Sequence, residues 1–349
     1  MDKSRRHFLE VSAAALAGIT VLPTLSSCAG NNAKASATSA GKINSNFAGV
    51  AMGAITYSWR SLPGGLDNLI NYCKEANVSN LELMGNDLET ILGVPENPTQ
   101  RLFAELRAAM EKAGQKITGR PTLSAEAQAE IEKYNKDLDA FRTNMDWDKV
   151  EEVRKRFAAE GIDIHIVKTS PGANSSDDYI DYSFKLAKAM GASAVTTEMS
   201  LAAAQRVAPF AEKHDMIIAL HNHFQYAQDE FKDGPEQVLA VSPKVMLNFD
   251  QGHYFGSTGK NPVDFIKKYQ DRIFSMHIKD KTGPNTEGAP NANQVWGQGQ
   301  TPLEEVLHYV RDNKLPIYCD IELEYDVKPW SNAVKEVGTC VKYARQILM

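Results

Sequence analysis

The sequence predicts an α/β chain closed into a (β/α)8 TIM barrel, and three observations predict it. Apolar runs of strand length alternate with helix-spaced segments, and the alternation repeats eight times between Val50 and Met349, the number that closes such a barrel. The runs are almost continuously apolar, as in Met216-Ile217-Ile218-Ala219, which suits parallel strands buried on both faces. The last four runs end in His, Asp or Glu, and the carboxyl ends of the strands are where such barrels keep their chemistry.

The elements follow in order. The first strand is expected over 50–57, ending in Ser58-Trp59-Arg60, with helical spacing over 66–76 and a second strand over 80–84. From 98 to 160 the pattern is mostly helical, in pieces over 102–113, 124–145 and 147–160. Ser124, with Glu126 and Gln128 in the first turn, starts the middle piece. That is more helix than one crossover needs. The middle piece therefore reads as an insertion between strands two and three, over one barrel end as a lid or as a contact for a homo-oligomer. Strand three covers 162–168, a helix 179–190 stops at Gly191, and strand four covers 193–198. A helix over 202–214 leads to strand five, whose run passes into Leu220-His221-Asn222-His223-Phe224. A short helix over 234–241 precedes strand six, 244–250, and Pro262 opens the next helix. Strand seven covers 273–280. A Gly-, Pro- and Asn-rich loop, 281–300, closes with Trp296-Gly297-Gln298-Gly299-Gln300, and loops of that length are often functional. Strand eight covers 316–324 and the last helix 330–348.

The N-terminus reads as a targeting segment. Ser4-Arg5-Arg6-His7-Phe8-Leu9 matches the twin-arginine export pattern, an apolar run over 11–22 is too short to span a bilayer comfortably, and Leu25-Ser26-Ser27-Cys28 resembles a lipobox with Cys28 as the lipidated residue. The expected organisation is signal peptide 1–28, flexible tether 29–46 and barrel 47–349, in a periplasmic protein anchored to a membrane through lipid alone. The other three cysteines, Cys73, Cys319 and Cys340, indicate no disulfide framework. With 43% hydrophobic and 23% charged residues the composition is globular. A net charge of −6 and no basic cluster exclude a nucleic-acid binder.

His221, Asp250, His277 and Glu322 fall at the ends of strands five to eight, neighbours in a closed barrel, so four ligands of one ion are expected there. Two imidazoles and two carboxylates suit one divalent metal, Mn²⁺ first, with Zn²⁺, Co²⁺ or Fe²⁺ as alternatives. Glu324 competes with Glu322 for the strand-eight place. Lys279 shares the face of His277 and could hold an oxyanion or move a proton. His253, three residues past Asp250, could turn toward the ion or the substrate. His223, Asn222, Glu198 and His165 are candidates for binding substrate, with Tyr57 and Trp296 as rings to stack on a sugar. Glu82 in strand two is either a site residue or a carboxylate held by a structural partner.

From about Val50 to Met349 the chain resembles the xylose-isomerase-like superfamily of sugar phosphate isomerases and epimerases. The pieces that carry the resemblance are Gly53-Ala54-Ile55-Thr56-Tyr57-Ser58, Leu220-His221-Asn222-His223, Asn248-Phe249-Asp250-Gln251-Gly252-His253, Met276-His277-Ile278-Lys279-Asp280, Gly297-Gln298-Gly299 and Ile321-Glu322. The resemblance implies a metal held by Glu, Asp, His and Glu from strands five to eight, and here His221 stands in the first of those places. It implies isomerisation or epimerisation of a free sugar or keto-sugar by proton abstraction next to a carbonyl, with Glu322, Lys279 and His253 as the catalytic set. The alternatives are β-elimination from a 3-keto-glycoside on the same metal site and, less favoured, a non-catalytic sugar-binding lipoprotein.

Overall fold

The computed structural model describes residues 42–115 and 121–349. The twin-arginine segment, Cys28 and most of the tether lie outside the described residues. Eight parallel strands close on themselves: β1 Val50–Ile55, β2 Asn80–Met84, β3 Asp163–Lys168, β4 Ala194–Glu198, β5 Ile217–His221, β6 Val245–Asp250, β7 Ile273–Ile278 and β8 Tyr318–Ile321. Each pairs with the next, and β8 pairs with β1. The fold is the expected TIM barrel. Its main hydrophobic core lies between the strands and the helices outside them, from Val50 and Leu81 to Val337 and Leu348.

The register decides which residues share a level inside the barrel. Alternate strands supply each layer. Followed around the sheet, it places Glu82, Thr196, Asn248 and Asp320 at one level, from the even strands. Ile55, Lys168, His221 and His277 follow from the odd strands, then Met84, Glu198, Asp250 and Glu322. Below them an apolar cluster of Ile166, Ala194 and Ala219, with Ile217 and Phe274 against it, fills the lower barrel. The charged side chains therefore gather above this cluster, toward the strand ends.

Several boundaries differ from the sequence expectation. Strand one stops at Ile55, and Thr56–Trp59 is a 3-10 turn. Strand eight stops at Ile321, which puts Glu322 just past its end. A helix, Gly85–Leu92, follows β2 directly, and another, Gln251–Thr258, follows β6. The second starts on Asp250 itself, whose carboxylate accepts from the His253 N–H at 2.7 Å. A residue that is both last in a strand and first cap of a helix leaves no loop signal between them. The barrel also begins before the expected end of the tether. Ser45 is buried and bonded to Ser79 and to the Met52 carbonyl, and Asn46–Phe47 pairs antiparallel with β1. In the inserted segment, Ala125–Thr143 is capped by Ser124 as expected but buries no residue. It is tied to the ring of outer helices rather than to the strand ends: Arg142 forks onto Glu89 at 2.7 and 3.1 Å and stacks on Tyr179.

Candidate metal centre

His221, Asp250, His277 and Glu322 converge, each offering one donor atom within 4.8 Å of the other three, and all four are buried. His221 Nε2 lies 3.0 Å from His277 Nδ1 and 3.6 Å from Asp250 Oδ2. His277 Nδ1 lies 3.7 Å from Asp250 Oδ2 and 2.9 Å from Glu322 Oε2. Donors about 2.0–2.1 Å from a tetrahedral ion stand about 3.3 Å apart, so these spacings fit one ion. Asp250 Oδ2 accepts no well-aligned hydrogen bond, although Lys279 Nζ is 2.9 Å away. A buried carboxylate oxygen left in that state is what an ion would complete.

Each histidine is turned by a carboxylate behind it, as metal-bound imidazoles generally are. His277 Nε2 donates to Glu82 Oε2 at 2.9 Å, which leaves Nδ1 for the ion. Glu82 is fully buried, reaches across the barrel from β2, and also accepts from Asn248 Nδ2 at 2.8 Å. Of the two readings open for Glu82, it takes the supporting one. His221 Nδ1 faces Glu198 Oε2 at 3.4 Å, which leaves Nε2 for the ion. Glu198 is shared with His223, whose Nδ1 is 3.0 Å from the same oxygen, and with Lys168 at 3.4 Å. Glu198, His221 and His223 form a second convergent group, but it shares His221 with the first. Glu198 and His223 are accordingly supports and pocket wall.

Lys279 sits inside the cluster, 2.6 Å from Glu322, 2.8 Å from Glu324 and 2.9 Å from Asp250. Burial works against its charge, but the three carboxylates outweigh burial and hold it as an ammonium. Burial likewise works to raise Glu322, and the charges of Lys279 and His277 hold it well below the usual carboxylate range. Glu324 is pulled down to about 2 despite burial, chiefly by its contact with His253 and by Lys279. His253, 3.3 Å from Glu324, is pushed below its ordinary value by burial.

Four residues expected to contact substrate have other partners or lie apart from the four converging side chains. Asn222 spends its side chain on Asp250: Oδ1 accepts from the Asp250 N–H and Nδ2 donates to its carbonyl, both at 3.0 Å, which fixes the strand end that carries a ligand. His165 lies low in the barrel, 2.8 Å from Asp320 and stacked on Tyr318, and is the extra residue of a bulge opposite Leu81 and Glu82. Trp296 is buried edge-on against Tyr343 of the last helix. Tyr57 lines a cleft with Trp59, Asn86 and Asp87 that contains none of the four ligands. Asn248, which the sequence reading did not single out, sits two layers below Asp250, on the same strand. The alternation of strand six could have pointed to it. The Asp280 and Gly-x-Gly pieces form an anchor: Asp280 accepts from the N–H groups of Gly297, Gly299 and Thr301, and a Cβ at Gly299 would meet its Oδ1 at 2.1 Å.

The fold and the site define an eight-stranded parallel barrel whose strand ends carry a His/carboxylate group that could hold a metal ion. The chain belongs to the xylose isomerase-like TIM barrel family, whose model matches residues 70–342. Among curated proteins it is 26% identical over 147 residues to an inosose dehydratase of Clostridium botulinum (strain Eklund 17B / Type B), a match covering 37% of this chain and 49% of that protein. The chain thus spans about half the length of the curated relatives it matches. Similar solved structures include the IOLI protein with a bound zinc atom (15% identity, TM-score 0.53, covering 86% of this chain and 98% of that one). D-psicose 3-epimerase with D-tagatose, from Clostridium cellulolyticum H10, is similar too (10% identity, TM-score 0.53, covering 86% and 99%). At these identities the likeness is one of fold.

Proposed function

We propose that this chain is a divalent-metal-dependent enzyme of sugar chemistry that removes the proton next to a carbonyl of a keto-sugar or keto-glycoside and expels the substituent β to that carbonyl. The observation that carries the reading is His221, whose two ring nitrogens are both committed, Nδ1 toward Glu198 and Nε2 toward the ion position. An epimerase of the kind the sequence resembles needs a carboxylate there to work on the second face of the substrate. An imidazole so placed has no lone pair left for that task. Elimination needs only one base and one acid.

His221, Asp250, His277 and Glu322 would hold the ion. Bound there, it would polarise the substrate carbonyl and favour negative charge on its oxygen. Glu322 would take the proton from the substrate carbon, and the Lys279 ammonium, 2.6 Å away, would give a proton to the leaving oxygen and regain one from Glu322. His253 and Glu324, paired at the mouth, would line the path of the leaving group. Isomerisation and epimerisation share the first step and differ in where the proton returns. The name of the curated relative, a dehydratase, supports the eliminating outcome. The donor set supports Mn²⁺ first and Zn²⁺, Co²⁺ or Fe²⁺ as alternatives.

Incubation of the metal-loaded protein with a 3-keto-glucoside in deuterated water tests this. Released aglycone by mass spectrometry is expected. Deuterium uptake without release would make the chain an isomerase or epimerase, and neither event would remove the catalytic reading. The twin-arginine and lipobox pieces support export and anchoring through Cys28. Radiolabelled palmitate should enter the wild type and not Cys28→Ala.

A further inference from the structure

Two lysines run outward from the site along one face of the chain, and only one of them is paired with carboxylates. Lys279 and Lys281 are two residues apart on extended backbone, so their side chains share a side roughly 7 Å apart. The helix Gln251–Thr258 runs alongside and faces them with two glycines one turn apart. A Cβ at Gly252 would stand 2.2 Å from Lys279 Cγ, and one at Gly256 would stand 2.8 Å from Lys281 Cε. Each lysine occupies the space that one glycine leaves. Lys279 has three carboxylates in contact. Lys281 is as deeply buried, yet its Nζ bonds only the Asn293 amide oxygen, at 2.8 Å, and among the described residues no carboxylate forms an ion pair with it. Asn291 Oδ1 lies over the same glycine, 2.2 Å from that Cβ position, and accepts no hydrogen bond. The carboxylates of Asp250, Glu324 and Glu322 act on Lys281 only from beyond contact distance, and a buried ammonium with no contacting counter-charge is disfavoured unless a partner supplies one.

We infer that the Lys281 ammonium is a contact for an anionic substituent of the substrate, which would take the place of the Asn293 amide oxygen on Nζ, one strand step outward from the reacting carbonyl. The inference rests on the keto-sugar reading and narrows it to acidic sugars. A carboxylate, as in a uronate, or a phosphate or sulfate ester would present the same oxygens to Nζ. His253, one turn before Gly256 on the same helix, lies between the ion position and this corner, against Glu324. A substrate lying along the helix would meet the ligands, then His253, then Lys281.

The test is calorimetric binding of D-glucuronate and of D-glucose to the metal-loaded full chain. Glucuronate should bind at least about tenfold more tightly, the advantage of a charge-assisted contact. Lys281→Met should reduce that ratio to near one, and Lys281→Arg should keep most of it. Lys281→Gln serves the same comparison should the methionine variant not fold. A ratio near one in the wild type, or one that survives loss of the ammonium, overturns the inference. Glucose 6-phosphate in a third arm separates the sources: tighter binding than glucuronate marks an ester, weaker binding a carboxylate. Aglycone release is read separately. Release with no acid preference sinks this subsite alone, and an acid preference without release sinks the reaction alone.

Discussion

The two histidines of the metal centre are held by the same device in opposite surroundings. On the floor, Glu82 is fully buried and takes hydrogen bonds from His277 and Asn248. On the wall, Glu198 is nearly half exposed and divides one oxygen between His221 and His223. A hydrogen bond to charge is worth more, and costs more to break, away from water. The floor therefore fixes one imidazole rigidly, while the wall leaves the other adjustable. On the metal reading proposed above, the difference would assign ion retention chiefly to the floor and pocket chemistry chiefly to the wall.

The largest expected effect is outright loss of the ion. Asp250→Ala and His277→Ala should each abolish stoichiometric metal by elemental analysis, since each takes one of four donors. Unchanged metal content in either would sink the assignment of the site. Next comes Glu82→Ala, which touches no donor atom. It should lower metal affinity about 10–100-fold in chelator competition. It should also destabilise the metal-free protein by roughly 3–5 kcal/mol, because a buried partner of His277 is removed. Glu82→Gln, which keeps an acceptor, should recover much of the affinity. If Glu82→Ala binds metal like the wild type, the floor has no special hold.

The floor also sets the pH dependence of loading. In the metal-free protein burial disfavours charge on His277, but Glu322 and Glu82 outweigh it and raise its pKa well above the ordinary value. A raised histidine stabilises the fold fully below its unfolded value, about 6.5. That contribution is lost as pH rises through the folded value. The ion must displace this proton, so affinity should climb with pH across neutrality, and loading should release about one proton at pH 7. Calorimetry in two buffers of different ionisation heat measures it. Release of none would mean that His277 is already neutral.

What the sequence showed and what it hid follow from the distances over which side chains act. That His221, Asp250, His277 and Glu322 come together was legible because each ends its own apolar run and a barrel brings consecutive strand ends together. The roles of Glu82 and Asn248 were not, because Glu82 acts across the barrel on a residue 195 positions away. Asn222 and His165 misled for the reverse reason. Both are polar and close to a strand, but one is spent on the backbone of Asp250 and the other points low into the barrel beside Asp320. The helix after Asp250 was hidden because the ligand is also its cap.

The smallest effect belongs to the wall. Contact with Glu198 raises the His223 pKa despite burial, and His221 and His223 with Lys168 pull Glu198 down against its own burial. The signs oppose each other. Glu198 stabilises above its unfolded value, about 4.3, and that is lost as pH falls through its lowered value. His223 stabilises below about 6.5, and that is lost as pH rises through its raised value. The pair is therefore complete only between about pH 4.3 and 6.5. Since both side chains reach solvent, Glu198→Ala should cost below about 1 kcal/mol there, and less in high salt. The same variant should return the His223 titration, followed by the proton resonance of its ring, toward the ordinary histidine value. It should lower metal affinity by less than Glu82→Ala does. If Glu198→Ala costs as much affinity as Glu82→Ala, the two sides hold their histidines equally, and burial is not what separates them.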